Sequence, residues 1–215
     1  MENLYLLDIQ VLGIANFNMK CLICGIGSLG SLLTKNIASD IRDEHTIIAL
    51  DFDKVEERNV RANTQAYTSE MIGLPKTEAL QYILHKMNRK IETIEEKITK
   101  DTIKNIVFPD SIQSPFGLVI DCFDNFEARS AITEACRTIP CVHVGFSPNF
   151  TWSILWNEGY VPPEDAKGLD ICEMEGASSF VHMVAAIGSS VVLEYLTTRK
   201  KKELCGNRLL VREIK

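Results

Sequence analysis

Apolar residues along this 215-residue chain gather in short runs closed by glycine or aspartate, and these alternate with longer stretches of helical spacing. Met19–Cys24 is the first such run and ends at Gly25, which suits a buried strand. Ser28–Ala38 sets Leu29, Leu32, Leu33 and Ile37 on one face, the spacing of an amphipathic helix. Thr46–Leu50 is a second buried strand, closing on Asp51. After an irregular polar stretch, Pro75–Met87 reads as a helix with proline in its first turn. Ile91–Ile98 alternates, imperfectly, as a strand does. Asp101–Val107 is a short helix with an acidic start, and Gly117–Cys122 is another buried strand. Asn125–Arg137 and Cys141–Gly145 add a further helix and strand.

Strands alternating with helices predict an α/β, Rossmann-like fold: a doubly wound, mainly parallel sheet with helices on both faces. Phe150–Trp156 reads as an additional strand and Tyr160–Asp170 as a loop, from its proline, glycine and acidic content. Ser179–Leu196 is a long apolar helix and Arg208–Ile214 a last short strand. With no internal repeat and no linker composition, one domain over residues 1–215 is expected, of which 151–215 forms the C-terminal strand, loop and helix part.

Charge narrows the partners. A net charge of −6 argues against a general nucleic-acid binder or a binder of acidic membranes. The one basic run, Arg199–Lys202, ends a helix, where cations suit the dipole. The first residues include Glu2 and Asp8 and lack a basic region of the secretory type. Seven cysteines, an odd number, are then expected to be reduced thiols in a cytoplasmic protein. Cys21 and Cys24 have CxxC spacing inside a strand, where they leave opposite faces, and no second pair completes a structural zinc site.

The stretch "KCLICGIGSLGS" (Lys20–Ser31) carries the first chemistry, a glycine loop between strand and helix. Gly25 permits the tight turn, Gly27 lets the backbone approach a phosphate, and Gly30 lets helix and strand pack closely. Amides from Ser28 onward would face an anion. Asp51 ends the next strand, where a carboxylate can accept from ribose hydroxyls. These residues say adenosine nucleotide and leave NAD and ATP both open.

Further motifs separate the two. "DFDKVEERNVRANTQAY" (Asp51–Tyr67), "IGLPKTEA" (Ile72–Ala79) and "DCFDNFEAR" (Asp121–Arg129) follow the glycine loop in order. Together they resemble the ThiF/MoeB family of ubiquitin-activating-type adenylating enzymes across roughly Cys21–Gly145, with a weaker match over Cys172–Leu196. The resemblance implies an ATP-dependent adenylyltransferase. Its substrate would be the C-terminal carboxylate of a small ubiquitin-like or sulfur-carrier protein ending in glycine, and pyrophosphate would leave. It implies ATP and Mg²⁺ as cofactors and a homodimer as the assembly. Lys76 would then meet the phosphates, Asp124 would hold Mg²⁺ or cap the following helix or do both, and Asn59 and Arg61 would add a polar and a cationic contact. Asp53 would be either a nucleotide-side carboxylate or a turn cap, and Asp121 a supporting residue. Cys172 falls where some relatives carry a thiol that links to the carrier, but its neighbours Asp170, Glu173 and Glu175 favour the protonated thiol.

This chain departs from the family pattern at four places. Ser28 replaces a second consecutive glycine in the loop. Arg61 stands one residue before the family's place, which Ala62 occupies, and in an extended segment one residue reverses a side chain's direction. Residues 1–20 contain no arginine, where relatives often supply one to a partner protomer, and the family's zinc cysteines are missing. Either another chain completes such a site, or the enzyme is weak, or the chain is a non-catalytic partner subunit. A nicotinamide-dependent oxidoreductase would need only the loop and Asp51, and would leave Lys76, Asn59 and Asp124 unexplained.

Overall fold

In the computed structural model, residues 18–110, 113–165 and 174–214 are described. Apolar runs become strands where both sheet faces are covered, and one polar segment joins them at the sheet edge. These are β1 (Lys20–Cys24), β2 (Thr46–Asp51), β3 (Glu92–Glu95), β4 (Leu118–Asp121) and β5 (Cys141–Phe146). They lie parallel in the order β3-β2-β1-β4-β5. β6 (Thr151–Trp156), β7 (Leu204–Asn207) and β8 (Val211–Glu213) continue the same sheet antiparallel. The sheet is therefore mainly parallel and doubly wound, as expected, with the additional strand at β6. The expected last strand from Arg208 to Ile214 is instead a β7–β8 hairpin. Its first strand begins at Leu204, and Arg208–Leu210 form the turn.

Helices cover both faces. On one side lie α1 (Ser28–Asp40), α3 (Lys76–Lys86) and α6 (Ala177–Thr198), packed through Leu33, Ile37, Leu80, Leu84, Val181 and Val184. On the other lie α4 (Lys100–Val107) and α5 (Phe126–Ala135), through Ile103, Val107 and Ile132. Cys21 faces the first layer and Cys24 the second, so the CxxC spacing brings no two thiols together. By length and composition α6 could cross a bilayer, but here its apolar residues lie along α1 and the sheet.

The polar stretch after β2 contains a helix the hydrophobic pattern does not announce, α2 (Glu57–Arg61). A reciprocal capping box holds it: the Glu56 side chain accepts from the Asn59 amide, and Asn59 Oδ1 accepts from the Glu56 N–H at 2.8 Å.

Candidate functional site

The carboxyl ends of β1, β2 and β4 meet where the strand order reverses between β1 and β4, the place where open α/β sheets bind ligands. The glycine loop sits in this crevice. Gly25 has φ +82°, a conformation that glycine adopts without cost, and its N–H donates to Leu50 O at 2.8 Å. A Cβ on Gly30 would lie 1.9 Å from Gly25 O, so only glycine lets α1 start this close to β1. At Gly27 a Cβ would meet nothing within 4 Å among the described residues, which leaves an open approach to the backbone. The amides of Gly27, Leu29 and Gly30 have no acceptor among the described residues, and α1 starts without a side-chain cap. A helix N-terminus with free amides and open space beside it fits a phosphate.

The loop is held from three sides. Asp51, buried at the end of β2, accepts from the Ile26 N–H at 2.8 Å and from the Asp53 N–H at 2.9 Å. Asp51 thus positions the loop and caps the Asp53 turn. The ribose contact expected of it requires an exposed carboxylate, and the half-exposed carboxylate nearby is that of Asp53. Tyr67 donates its hydroxyl to Ile26 O at 2.6 Å, and burial pushes that hydroxyl well above its ordinary range, so it stays a donor. Ser31 Oγ accepts from the Ala66 N–H at 3.1 Å, and Ser28 Oγ lies 3.4 Å from Thr64 Oγ1. The segment Thr64–Tyr67 is therefore the loop's outer support. Nothing in its hydrophobic pattern signals this role.

Burial also raises the Asp51 carboxyl above its ordinary value, against the opposing pull of Lys76. A raised native value means that the folded state binds the proton more readily. The stability from that protonation is present below the unfolded value near 3.8 and is lost as pH rises through the native value. Asp51→Asn removes this titration and turns an amide donor toward a backbone N–H. We expect it to lower stability by about 1–3 kcal/mol, more at pH 4 than at pH 7, as read by denaturant melts at both pH values. A loss that grows with pH would contradict this assignment.

Lys76 is brought in by backbone pairing. Lys54 bridges Pro75, Val55 N–H donates to Leu74 O, and Lys76 N–H donates to Asp53 O at 2.9 Å. Its Nζ lies 2.9 Å from Asp53 Oδ2, with Lys76 only 7% exposed. A nearly buried cation on the first residue of a helix opposes that helix's dipole, so the placement calls for anions in front of it.

On the β4 side, Asp121 is buried and accepts from the Phe123 N–H at 3.0 Å, the same short turn that Asp51 makes with Asp53. Its other oxygen lies 2.9 Å from His143 Nδ1, and Tyr160 stacks on the His143 ring with centroids 3.6 Å apart. This buried pair escapes sequence reasoning, although Asp121 and His143 are register partners across β4 and β5. Asp124 does not cap α5. Asn125 does, its Oδ1 accepting from the Ala128 N–H at 2.9 Å. That leaves the exposed Asp124 carboxylate without a hydrogen-bond partner among the described residues, an oxygen donor of the kind a hard cation takes.

Two further expected contributors lie on α2. Arg61 closes α2, so the segment is helical rather than extended. One residue of offset there turns a side chain by roughly 100° instead of reversing it. Arg61 is exposed and makes no ion pair among the described residues. Asn59 is buried and holds the α2 capping box with its oxygen. Cys172 lies outside the described residues.

A glycine loop with free amides, a buried lysine and an open carboxylate at a doubly wound switch point define a nucleotide-binding α/β protein. The chain belongs to the ThiF family, whose model matches residues 15–214. It is 27% identical over 203 residues to the molybdopterin-synthase adenylyltransferase of Haemophilus influenzae, covering 89% of this chain and 80% of that one. It is 36% identical over 126 residues to the ubiquitin-like modifier-activating enzyme 5 of Drosophila persimilis, covering 54% of this chain and 31% of that protein. The fold is shared with E. coli MccB, solved with ATP, at a TM-score of 0.68 and 16% identity over 92% of this chain and 63% of that one. E. coli TcdA, solved with AMP, gives 0.63 and 17% over 84% and 87%.

Proposed function

We propose that the protein is an adenylyltransferase that uses ATP to activate the C-terminal carboxylate of a small ubiquitin-like or sulfur-carrier protein, with release of pyrophosphate. One observation carries this reading: the open glycine-loop amides, the Lys76–Asp53 pair and the free Asp124 carboxylate converge on one crevice. The names of the adenylyltransferase and modifier-activating relatives support it. Bound ATP would offer its α-phosphorus to a carboxylate oxygen. The residues here solve the problem of bringing two anions together. Loop amides take phosphate oxygens, Lys76 neutralises charge as the carboxylate approaches, and Asp53 holds Lys76 in place. Asp124 would hold Mg²⁺. A cytoplasmic homodimer is part of the same reading. The resemblance implies a carrier ending in glycine, and the cavity beyond Phe123 bears on that last residue.

Calorimetric titration tests this reading. MgATP should bind the wild type, and Asp124→Ala should weaken it by at least about tenfold, the lower end of what lost metal support costs. The fold should be unaffected, since the residue is exposed. NADH binding indifferent to Asp124 would favour an oxidoreductase. The absence of arginine from residues 1–20 and the exposed Arg61 support a second reading, a partner subunit that binds ATP without turnover. Binding of MgATP without pyrophosphate exchange would select it.

A further inference from the structure

Across Phe123 from the glycine loop lies a cavity of about 580 Å³. The Phe123 ring would lie 3.1 Å from a Cβ on Gly25, and the same residue lines the cavity. The cavity thus begins where an acid reaching the loop's anion would place its last residue. Its floor is the carboxyl ends of β4 and β5, and its far wall is the antiparallel extension β6–β8. The volume is in the range that takes a small organic ligand, far beyond what a residue without a side chain fills.

Its lining is suited to a side chain. Gly145 sits on β5 between His143 and Ser147, and a Cβ there would meet nothing within 4 Å among the described residues. Trp152, Phe146, Tyr160 and Leu210 give apolar walls, which stay exposed to water unless an apolar group covers them. His143 is 3% exposed, and its Nε2 has no hydrogen-bond partner among the described residues, an orphaned polar atom nine-tenths buried. Arg212, from β8, lines the cavity and has no ion-pair partner among the described residues.

We propose that this cavity receives the side chain of the substrate's C-terminal residue, and that this residue is large and apolar-bodied rather than glycine. The proposal rests on the adenylation reading and replaces one part of it, the terminal glycine. Gly145 is then a specificity-determining position: its missing side chain is the room the substrate fills.

The test uses the full chain and acetylated hexapeptides of common sequence ending in Gly, Leu or Phe. ATP–pyrophosphate exchange and, separately, calorimetric binding without ATP are read for each. Exchange efficiency should rise at least about tenfold from the Gly peptide to the Leu or Phe peptide, the low end of what a filled apolar pocket discriminates. Gly145→Leu should abolish that preference. Ser153→Leu, from the strand position opposite Gly145, should do the same if the first variant melts early. Equal or glycine-favouring exchange would overturn the pocket and leave adenylation standing. Binding of the Phe peptide that Gly145→Leu removes, with no exchange from any peptide, would sink adenylation and keep the pocket. Neither binding nor exchange would end both.

Discussion

Lys76→Met should cut ATP–pyrophosphate exchange by about 10²–10³-fold, the scale on which one fixed charge donor contributes to a developing anion, while leaving thermal stability unchanged or slightly raised. The two halves of this expectation have separate causes. Among the described residues Lys76 makes one ion pair, with Asp53, whose side chain is 49% exposed. An ion pair open to solvent on one side contributes no more than about 0–1 kcal/mol. Against that, a cation on the first turn of α3 opposes the helix dipole, and removing it relieves about 0.3–1 kcal/mol. Methionine keeps the length of the stem, so the nearly buried site stays filled. On the adenylation reading proposed above, a residue whose loss costs the fold almost nothing, yet which is held nearly out of water, is expected to serve the ligand. A parallel loss of melting temperature and exchange would make Lys76 structural. Retained exchange would remove it from the reaction altogether.

The same contrast explains which parts of the molecule were legible in the chain. The inner parallel strands announce themselves because burial on both faces forces continuous apolar runs, as in Leu22–Cys24 and Val119–Ile120. The loop is legible because Gly25 and Gly30 answer local geometric demands, a positive φ and a backbone oxygen 1.9 Å from any Cβ. α2 is not legible, because Val60 is its one large apolar residue and a capping box sustains it instead. β7 is missed because Leu204–Asn207 pairs with β6 on one side and β8 on the other, and its own pattern is too short to show it. The site divides likewise. Lys76 and Asp124 stand out through their motifs, whereas Asp51 turns inward to hold Ile26, and His143 meets Asp121 only through strand register. A motif says which residues gather at the crevice. Packing decides which of them face the ligand.

Gly30→Ala and Gly27→Ala should therefore fail in opposite ways, although each adds one methyl group to the same loop. At Gly30 the new carbon would land 1.9 Å from Gly25 O and 3.2 Å from the Cys122 Cβ, and the nearer of these is backbone that cannot swing aside. Either α1 moves off β1 or the turn at Gly25 opens. Overpacking of this kind costs about 1–3 kcal/mol, and the contact distance argues for the upper end. For a chain of this length about 3 kcal/mol corresponds to a fall of roughly 6–12 °C in melting temperature, and nucleotide binding should be lost with the loop. At Gly27 φ is −76° and no described residue lies within 4 Å of the new carbon, so the melting temperature should hold. The methyl group would instead occupy the open face beside the free amides, where the phosphate must come to the backbone, and MgATP affinity should fall by tenfold or more, about 1.4 kcal/mol. Thermal melts and calorimetry on the two variants separate these outcomes. Should Gly27→Ala bind MgATP as the wild type does, the phosphates approach the loop by some route other than Gly27.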